Sequence, residues 1–147
     1  MSMFTALEVS GSALGAERQR AEVVAANMAN AETTHTPEGG PYRRKEVVFA
    51  SQGNRPFQTM LADYNPSGAN ATPAVRVRQV VDDPTPPVMR YEPGHPDADK
   101  DGYVAYPAIN PTEEMVDLMG AVRSYQLNAS AIAATKQMIQ QSMSLLK

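Results

Sequence analysis

The sequence predicts an α+β chain: an antiparallel, coiled-coil-like hairpin of N- and C-terminal helices with a small β-rich middle domain. Three observations carry that prediction. All twelve prolines lie between Pro37 and Pro111, so the residues that break helices are confined to the middle of the 147-residue chain. Stepping three and four residues alternately from Met115 meets Leu118, Val122, Tyr125, Ala129, Ile132, Lys136, Ile139, Met143 and Leu146, and only Lys136 is charged. A 3.5-residue repeat of this kind keeps one narrow stripe facing a partner helix. At the other end Leu7, Leu14, Ala21 and Met28 recur at heptad spacing, with Val24 and Ala31 at later seam positions. The divisions expected are 1–34 for the first helix, 35–109 for the middle and 110–147 for the second helix.

The first helix is the weaker by itself. Gly11 and Gly15 each cost about 1 kcal/mol relative to Ala in a helix interior, and Ser10 and Glu17 interrupt its stripe. Stop and turn signals follow from Asn30 to Gly40, ending in Pro37 and Gly39-Gly40. Asn27 and Asn30 read as helix-end residues whose carboxamides are also candidates to bond a neighbouring subunit.

The middle reads as short strands and turns. Tyr42 to Phe49 is rich in β-favouring residues beside Arg43-Arg44-Lys45, a run read as a solvated strand face or a small docking patch. Val75-Arg76-Val77-Arg78 alternates with the period of a half-buried strand, and Val88–Tyr91 and Gly102–Tyr106 are two further short candidates. Asp83-Pro84-Thr85-Pro86-Pro87 and Glu92-Pro93-Gly94-His95-Pro96 are turn-forming. The stretch 51–73 reads as a surface loop. Seven of the nine aromatic residues fall in the middle, which predicts a small β core there.

The second helix has a marked start. Asn110 is placed to cap it, Pro111 suits its first position, and Glu113 completes a capping-box pattern. Glu113, Glu114 and Asp117 sit where the positive end of the helix dipole favours anions, with Lys147 at the opposite end. The helix would be roughly 50 Å long at about 1.5 Å per residue, and its stripe requires a second long helix. Lys136 has two readings: a polar seam residue that fixes register, or a side chain that reaches out to solvent.

Composition narrows the function. A net charge of −3 argues against a nucleic-acid binder. With no Cys, disulfides and thiolate metal sites are excluded. No apolar run has the length of a membrane span, and the N-terminus lacks the basic lead and apolar core of a cleaved secretory signal. No nucleophile elbow, phosphate loop or paired carboxylates appear, so the expectation is a protein that is not an enzyme and takes no cofactor. Asp97-Ala98-Asp99-Lys100-Asp101-Gly102 matches the opening of a calcium loop but has Ala108 where the bidentate Glu belongs. It reads as a polar turn, and His95 beside it as a turn histidine.

Ser12-Ala13-Leu14 and the run from Val24 through Asn27-Met28-Ala29-Asn30 to Thr34 resemble the N-terminal signature of bacterial flagellar rod and hook proteins. The stretch from Tyr91 to Val104, with Pro107, Asn110, Glu114-Met115-Val116-Asp117 and Gly39–Arg44, is similar to the proximal-rod members of that family. No part of the resemblance falls on Ser51 to Pro73. The resemblance implies export through the flagellar type III apparatus without a cleaved signal, and assembly in the periplasm into the basal-body rod. The terminal helices would form an inner layer around the export channel of a hollow, torque-transmitting polymer. The partners implied are further copies of the chain and rod proteins of the FlgB, FlgF and FliE types. The candidate assembly interface is then the seam: Leu7, Leu14, Ala21, Val24 and Met28, with Asn27 and Asn30, on the first helix. On the second it is Met115, Leu118, Val122, Tyr125, Ile132, Lys136, Ile139, Met143 and Leu146.

The alternatives are a related rod or hook subunit and a small calcium- or ligand-binding protein using Asp97, Asp99 and Asp101. As turn residues, these aspartates should each tolerate Asn, which keeps the turn-forming side chain. Millimolar calcium or EDTA should leave the melting temperature of the monomer unchanged, and a calcium-dependent rise would favour the binding-protein reading.

Overall fold

The computed structural model describes residues 3–52 and 74–144. Helix α1 spans Met3–Ala29 and helix α2 spans Pro111–Ser144, with strands β1 (Lys45–Gln52), β2 (Ala74–Asp82), β3 (Val88–Tyr91) and β4 (Tyr103–Tyr106) between them. The helices pack side by side and run antiparallel: Asn27, late in α1, meets Glu114, while the earlier Arg20 meets the later Asp117. The α+β architecture with paired terminal helices is the one the sequence predicts.

Asn110 caps α2. Its Oδ1 accepts from the Thr112 amide at 3.0 Å, and its Nδ2 donates to Glu113 Oε1 at 3.1 Å. Helix α1 closes with the Asn30 amide donating to the Ala26 carbonyl at 3.1 Å and the Asn30 side chain to the same carbonyl at 2.8 Å. The chain then turns back through Gly39 and Gly40, both at positive φ, and the Tyr42 amide returns to the Thr33 carbonyl at 3.0 Å.

The covered side of α2 differs in phase from the sequence-derived stripe. It runs through Glu114, Leu118, Ala121, Asn128, Ile132, Thr135 and Ile139, all buried or half-buried. Leu118, Ile132 and Ile139 belong to both lines. Met115, Val122, Tyr125, Ala129, Lys136 and Met143 do not, and are exposed; Leu146 lies outside the described residues. The shift has a physical reason: the side facing α1 combines Leu118, Ile132 and Ile139 with small and polar residues that allow close approach, Ala121 fully buried among them, while further apolar side chains flank it. Lys136 therefore sets no register between the two helices. On α1, Val24 is buried and Leu7, Leu14, Ala21 and Met28 are half-buried, as a covered stripe requires, and Ala31 is half-buried in the turn after the helix.

Among the described residues the strands form two separate two-stranded antiparallel ribbons, not one sheet. Ribbon β1–β2 rests on α1 and pairs from Lys45↔Asp82 to Gln52↔Ala74, with a bulge between Val48 and Phe49 that leaves Arg78 as the extra residue. Ser51 and Gln52, expected in a surface loop, are thus strand residues; the rest of that expected loop, 53–73, lies outside the described residues. The first strand begins at Lys45 where Tyr42 was expected, because Tyr42 is held in the turn by Thr33.

Ribbon β3–β4 pairs Val88↔Tyr106 to Tyr91↔Tyr103, and its Val104 is 1% exposed. Its turn needs Gly102, which sits at φ +82° and where a Cβ would lie 2.9 Å from Tyr91 Cε2. Gly102→Ala should therefore cost about 1–3 kcal/mol. Gly94→Ala, with open space around it, should stay within about 0.5 kcal/mol. Urea denaturation of the two variants checks the contrast; equal effects would remove the steric account.

Candidate assembly interface

Three chain segments converge on one carboxylate. Glu114, in the first turn of α2, is 1% exposed, and Asn27, in the last turns of α1, is fully buried. Asn27 Nδ2 donates to Glu114 Oε2 at 3.0 Å and to the Lys45 carbonyl at 2.9 Å. Its Oδ1 accepts from the Lys45 amide at 2.9 Å and the Tyr42 hydroxyl at 3.2 Å. The carboxamide thus takes the place of a neighbouring strand for the first residue of β1, and all of its hydrogen-bonding capacity is used.

Arg44 completes the junction. Its Nε donates to Glu114 Oε1 at 2.6 Å and its Nη1 donates to Glu46, while Asp83 and Asp117 each lie 3.7 Å from a guanidinium nitrogen. Asp117 also accepts from Arg20 Nη2 at 3.4 Å, which carries the network back to α1. Burial alone would lower the Arg44 pKa, but the hydrogen bonds and charges of Glu114 and Glu46 outweigh it and hold the group above its ordinary value. Burial pushes the Tyr42 phenol up, helped by the charges of Asp82 and Glu114. The phenol therefore remains a neutral donor toward Asn27.

Sequence reasoning reached Asn27 as a helix-end residue and Glu114 as an anion at the helix dipole. It missed Arg44, which it placed on a solvated strand face. Arg43 and Lys45 are indeed exposed, but Arg44 is half-buried and turned the other way. The alternation of side chains about the start of a strand is the signal that separates Arg44 from its neighbours.

Large apolar side chains stand on the outer faces of α2. Met115, Met119 (58% exposed) and Val122 (45% exposed) lie along one flank, and Val116, Leu127 and Met138 are also more than half exposed or at half. From Leu118 to Ser144 only Arg123 and Lys136 are charged. A surface helix of a soluble monomer ordinarily turns a charged face outward, whereas beyond Asp117 this helix turns a nearly uncharged one outward.

The aspartate-rich turn is organised by its own hydrogen bonds. Asp99 Oδ1 accepts from the Asp101 amide at 2.9 Å and the Tyr103 amide at 2.8 Å, and Asp97 Oδ2 accepts from the Thr34 hydroxyl at 2.7 Å. His95 Nδ1 accepts from the Asp97 amide at 3.1 Å. Among the described residues no three His, Asp or Glu side chains are grouped to hold a metal ion.

Removing Arg44 leaves the buried Glu114 with only Asn27, whereas removing the Glu114 charge leaves Arg44 with three other carboxylates. Arg44→Met should therefore destabilise by about 3–5 kcal/mol and Glu114→Gln by about 1–2 kcal/mol. Chemical denaturation of both variants checks the order, and a Glu114→Gln cost equal to or above that of Arg44→Met would count against it.

Comparison with known proteins adds a separate finding. The model for "Flagella basal body rod protein" matches residues 7–34, and that for "Flagellar basal body rod FlgEFG protein C-terminal" matches residues 100–145. The flagellar basal-body rod protein FlgC of Yersinia enterocolitica is 40% identical over 99% of this chain and 98% of its own length. The FlgC proteins of Bacillus subtilis, 39% identical over the whole of both chains, and of Borreliella burgdorferi, 37% identical over 100% of this chain and 99% of its own, are similarly related.

Proposed function

This chain belongs to the FlgC family of flagellar basal-body rod proteins, and on that premise we propose that its two helices are the part through which it polymerises in the proximal rod. It is a structural subunit of the basal-body rod. The observation that supports the finer reading is the nearly uncharged, widely exposed surface of α2 beyond Asp117. One flank is already taken by α1; the Met115–Met119–Val122 line and the Val116, Leu127 and Met138 positions are left for neighbours on two further sides.

Repeated head to tail without closing, such contacts generate a helical polymer. Helices packed as its inner layer would enclose the export channel, and the ribbons would face outward. The same packing would transmit torque along the shaft. The assembly neighbours proposed are further copies of this chain and rod proteins of the FlgB, FlgF and FliE types. Delivery is proposed through the flagellar type III apparatus to the periplasm. Asn30 serves this interface by closing the end of α1, and the seam residues of α1, with Asn27, serve it by holding α1 against α2. Leu118, Ile132 and Ile139 do so from the other side, whereas Met115, Val122, Tyr125 and Met143 are placed to meet neighbours directly.

The test separates subunit folding from assembly. Val122 is exposed in the subunit, so Val122→Asp should leave monomer stability within about 0.5 kcal/mol while placing an unpaired carboxylate in the proposed contact. Cells carrying it should lose rods and motility. Ile132→Asp, on the covered side, should damage the helix pair itself. Motile cells with the Val122→Asp protein at normal abundance would count against this surface as the interface.

A further inference from the structure

We propose that the outer face of ribbon β3–β4, with the aspartate-rich turn at its end, is a site for arginine side chains, filled by Arg76 and Arg78 on β2 of a second copy of this chain. The proposal rests on the polymerisation proposed above and adds to it a contact between copies that the ribbons make, not the helices.

Cross-strand pairing assigns the two faces of the ribbon, because opposed residues share a face and the faces alternate along each strand. Val88, Tyr106, Arg90 and Val104 fall on one face, and Met89, Ala105, Tyr91 and Tyr103 on the other. Val104 and Tyr106 are buried, so the first is the inner face. On the outer face Met89, Tyr91 and Tyr103 are exposed, Tyr91 at 65%. The two tyrosines stand edge to face with their centroids 5.4 Å apart, and the Tyr91 ring packs down on Gly102. Among the described elements β3 and β4 contact only each other, so neither helix nor ribbon β1–β2 covers this face.

The inner face shows what the outer one suits. There the Arg90 guanidinium carbon lies 4.5 Å over the Tyr106 ring, and the Tyr106 hydroxyl donates to Glu92 at 2.9 Å. A guanidinium stacks on a tyrosine ring while a nearby carboxylate attracts its charge. The outer face offers the same two groups, the rings of Tyr91 and Tyr103 and the exposed carboxylates of Asp99 and Asp101. Asp99 Oδ1 accepts from the Tyr103 amide at 2.8 Å, which sets that carboxylate beside the aromatic pair. Among the described residues no cation pairs with either aspartate.

The complementary groups stand on the other ribbon. Arg76 and Arg78 are exposed, two residues apart as Asp99 and Asp101 are, and among the described residues neither meets a carboxylate. The stretch 92–101 has four carboxylates to one lysine, whereas residues 74–81 have two arginines and no carboxylate. An acceptor on one ribbon and its donors on a ribbon that does not touch it make a head-to-tail contact, which extends a polymer instead of closing a dimer.

A charge swap in the full-length chain tests this. Within the turn Asp101 uses only its amide, so Asp101→Arg, like Arg76→Asp and Arg78→Asp, should leave the urea midpoint of the monomer unchanged. Each should lower the number of rods per cell by about tenfold or more, because like charges then meet. Combining Asp101→Arg with Arg76→Asp or with Arg78→Asp should recover rods and motility. Recovery by neither combination assigns the face to a different protein and overturns the proposal, as do normal rods with Asp101→Arg. If the charge variants do not accumulate, cross-linking decides, since the chain has no cysteine of its own. Asp101→Cys with Arg76→Cys or Arg78→Cys should give, on oxidation of isolated rods, a ladder in multiples of 15.9 kDa. No ladder, or dimers from a single substitution, overturns the contact. Val122→Asp lies on neither surface: motile cells with that variant defeat the helix interface and leave this contact standing, and normal rods with Asp101→Arg do the reverse.

Discussion

The packing of α1, α2 and ribbon β1–β2 depends on the burial of one carboxylate. An ionised side chain removed from water costs several kcal/mol unless its oxygens are occupied by donors, and Glu114 has one oxygen on Arg44 and the other on Asn27. Those donors come from the start of β1 and the end of α1. Satisfying one charge therefore requires three segments distant in sequence to arrive at one point. Asn27 extends the requirement to the main chain, since the carboxamide that reaches Glu114 also holds both the amide and the carbonyl of Lys45.

An apolar junction of the same volume would often be as stable or more so. What it would not supply is direction. The covered sides of α1 and α2 hold Ala16, Val24 and Ala121, buried, and Leu118, Ile132 and Ile139, half-buried, and an apolar contact of this kind is non-directional. A guanidinium shared among Glu114, Glu46, Asp83 and Asp117 has one geometry that satisfies it, so the rotation of α2 about its axis is fixed at its first turn. The cap at Asn110 adds to this by setting where that turn begins.

Much of this was legible in the sequence, and the exceptions share a cause. The confinement of proline gave the order of elements, Asn110-Pro111 the start of α2, and Val88–Tyr91 a strand found with the same bounds. The phase of α2 was not legible, because Leu118, Ile132 and Ile139 satisfy two different 3.5-residue lines. Counting apolar residues favours the line through Met115 and Val122. Periodicity reports that a repeat exists; when apolar residues occupy more than one side, it does not report which side is covered first. The role of Arg44 was hidden for a different reason. Its partners are separated from it by up to seventy residues or more, as Glu114 and Asp117 are, and no local pattern encodes such a meeting.

These two illegible features explain each other. A helix whose strongest apolar line faces its own partner would hold that partner tightly and offer little to anything else. Here much of the strongest line, Met115, Val122, Tyr125 and Met143, is left outside, and polar ties at one end help to hold α1. In the proposed assembly this arrangement would reserve hydrophobic area for contacts between chains while using directional bonds within the chain. Because successive helix positions are about 100° apart, a slip of one residue at the junction would turn the outer line away from any neighbour placed to receive it. A buried charge with a single satisfactory geometry would thus let the helix pair present its exposed face to a neighbour in a reproducible direction.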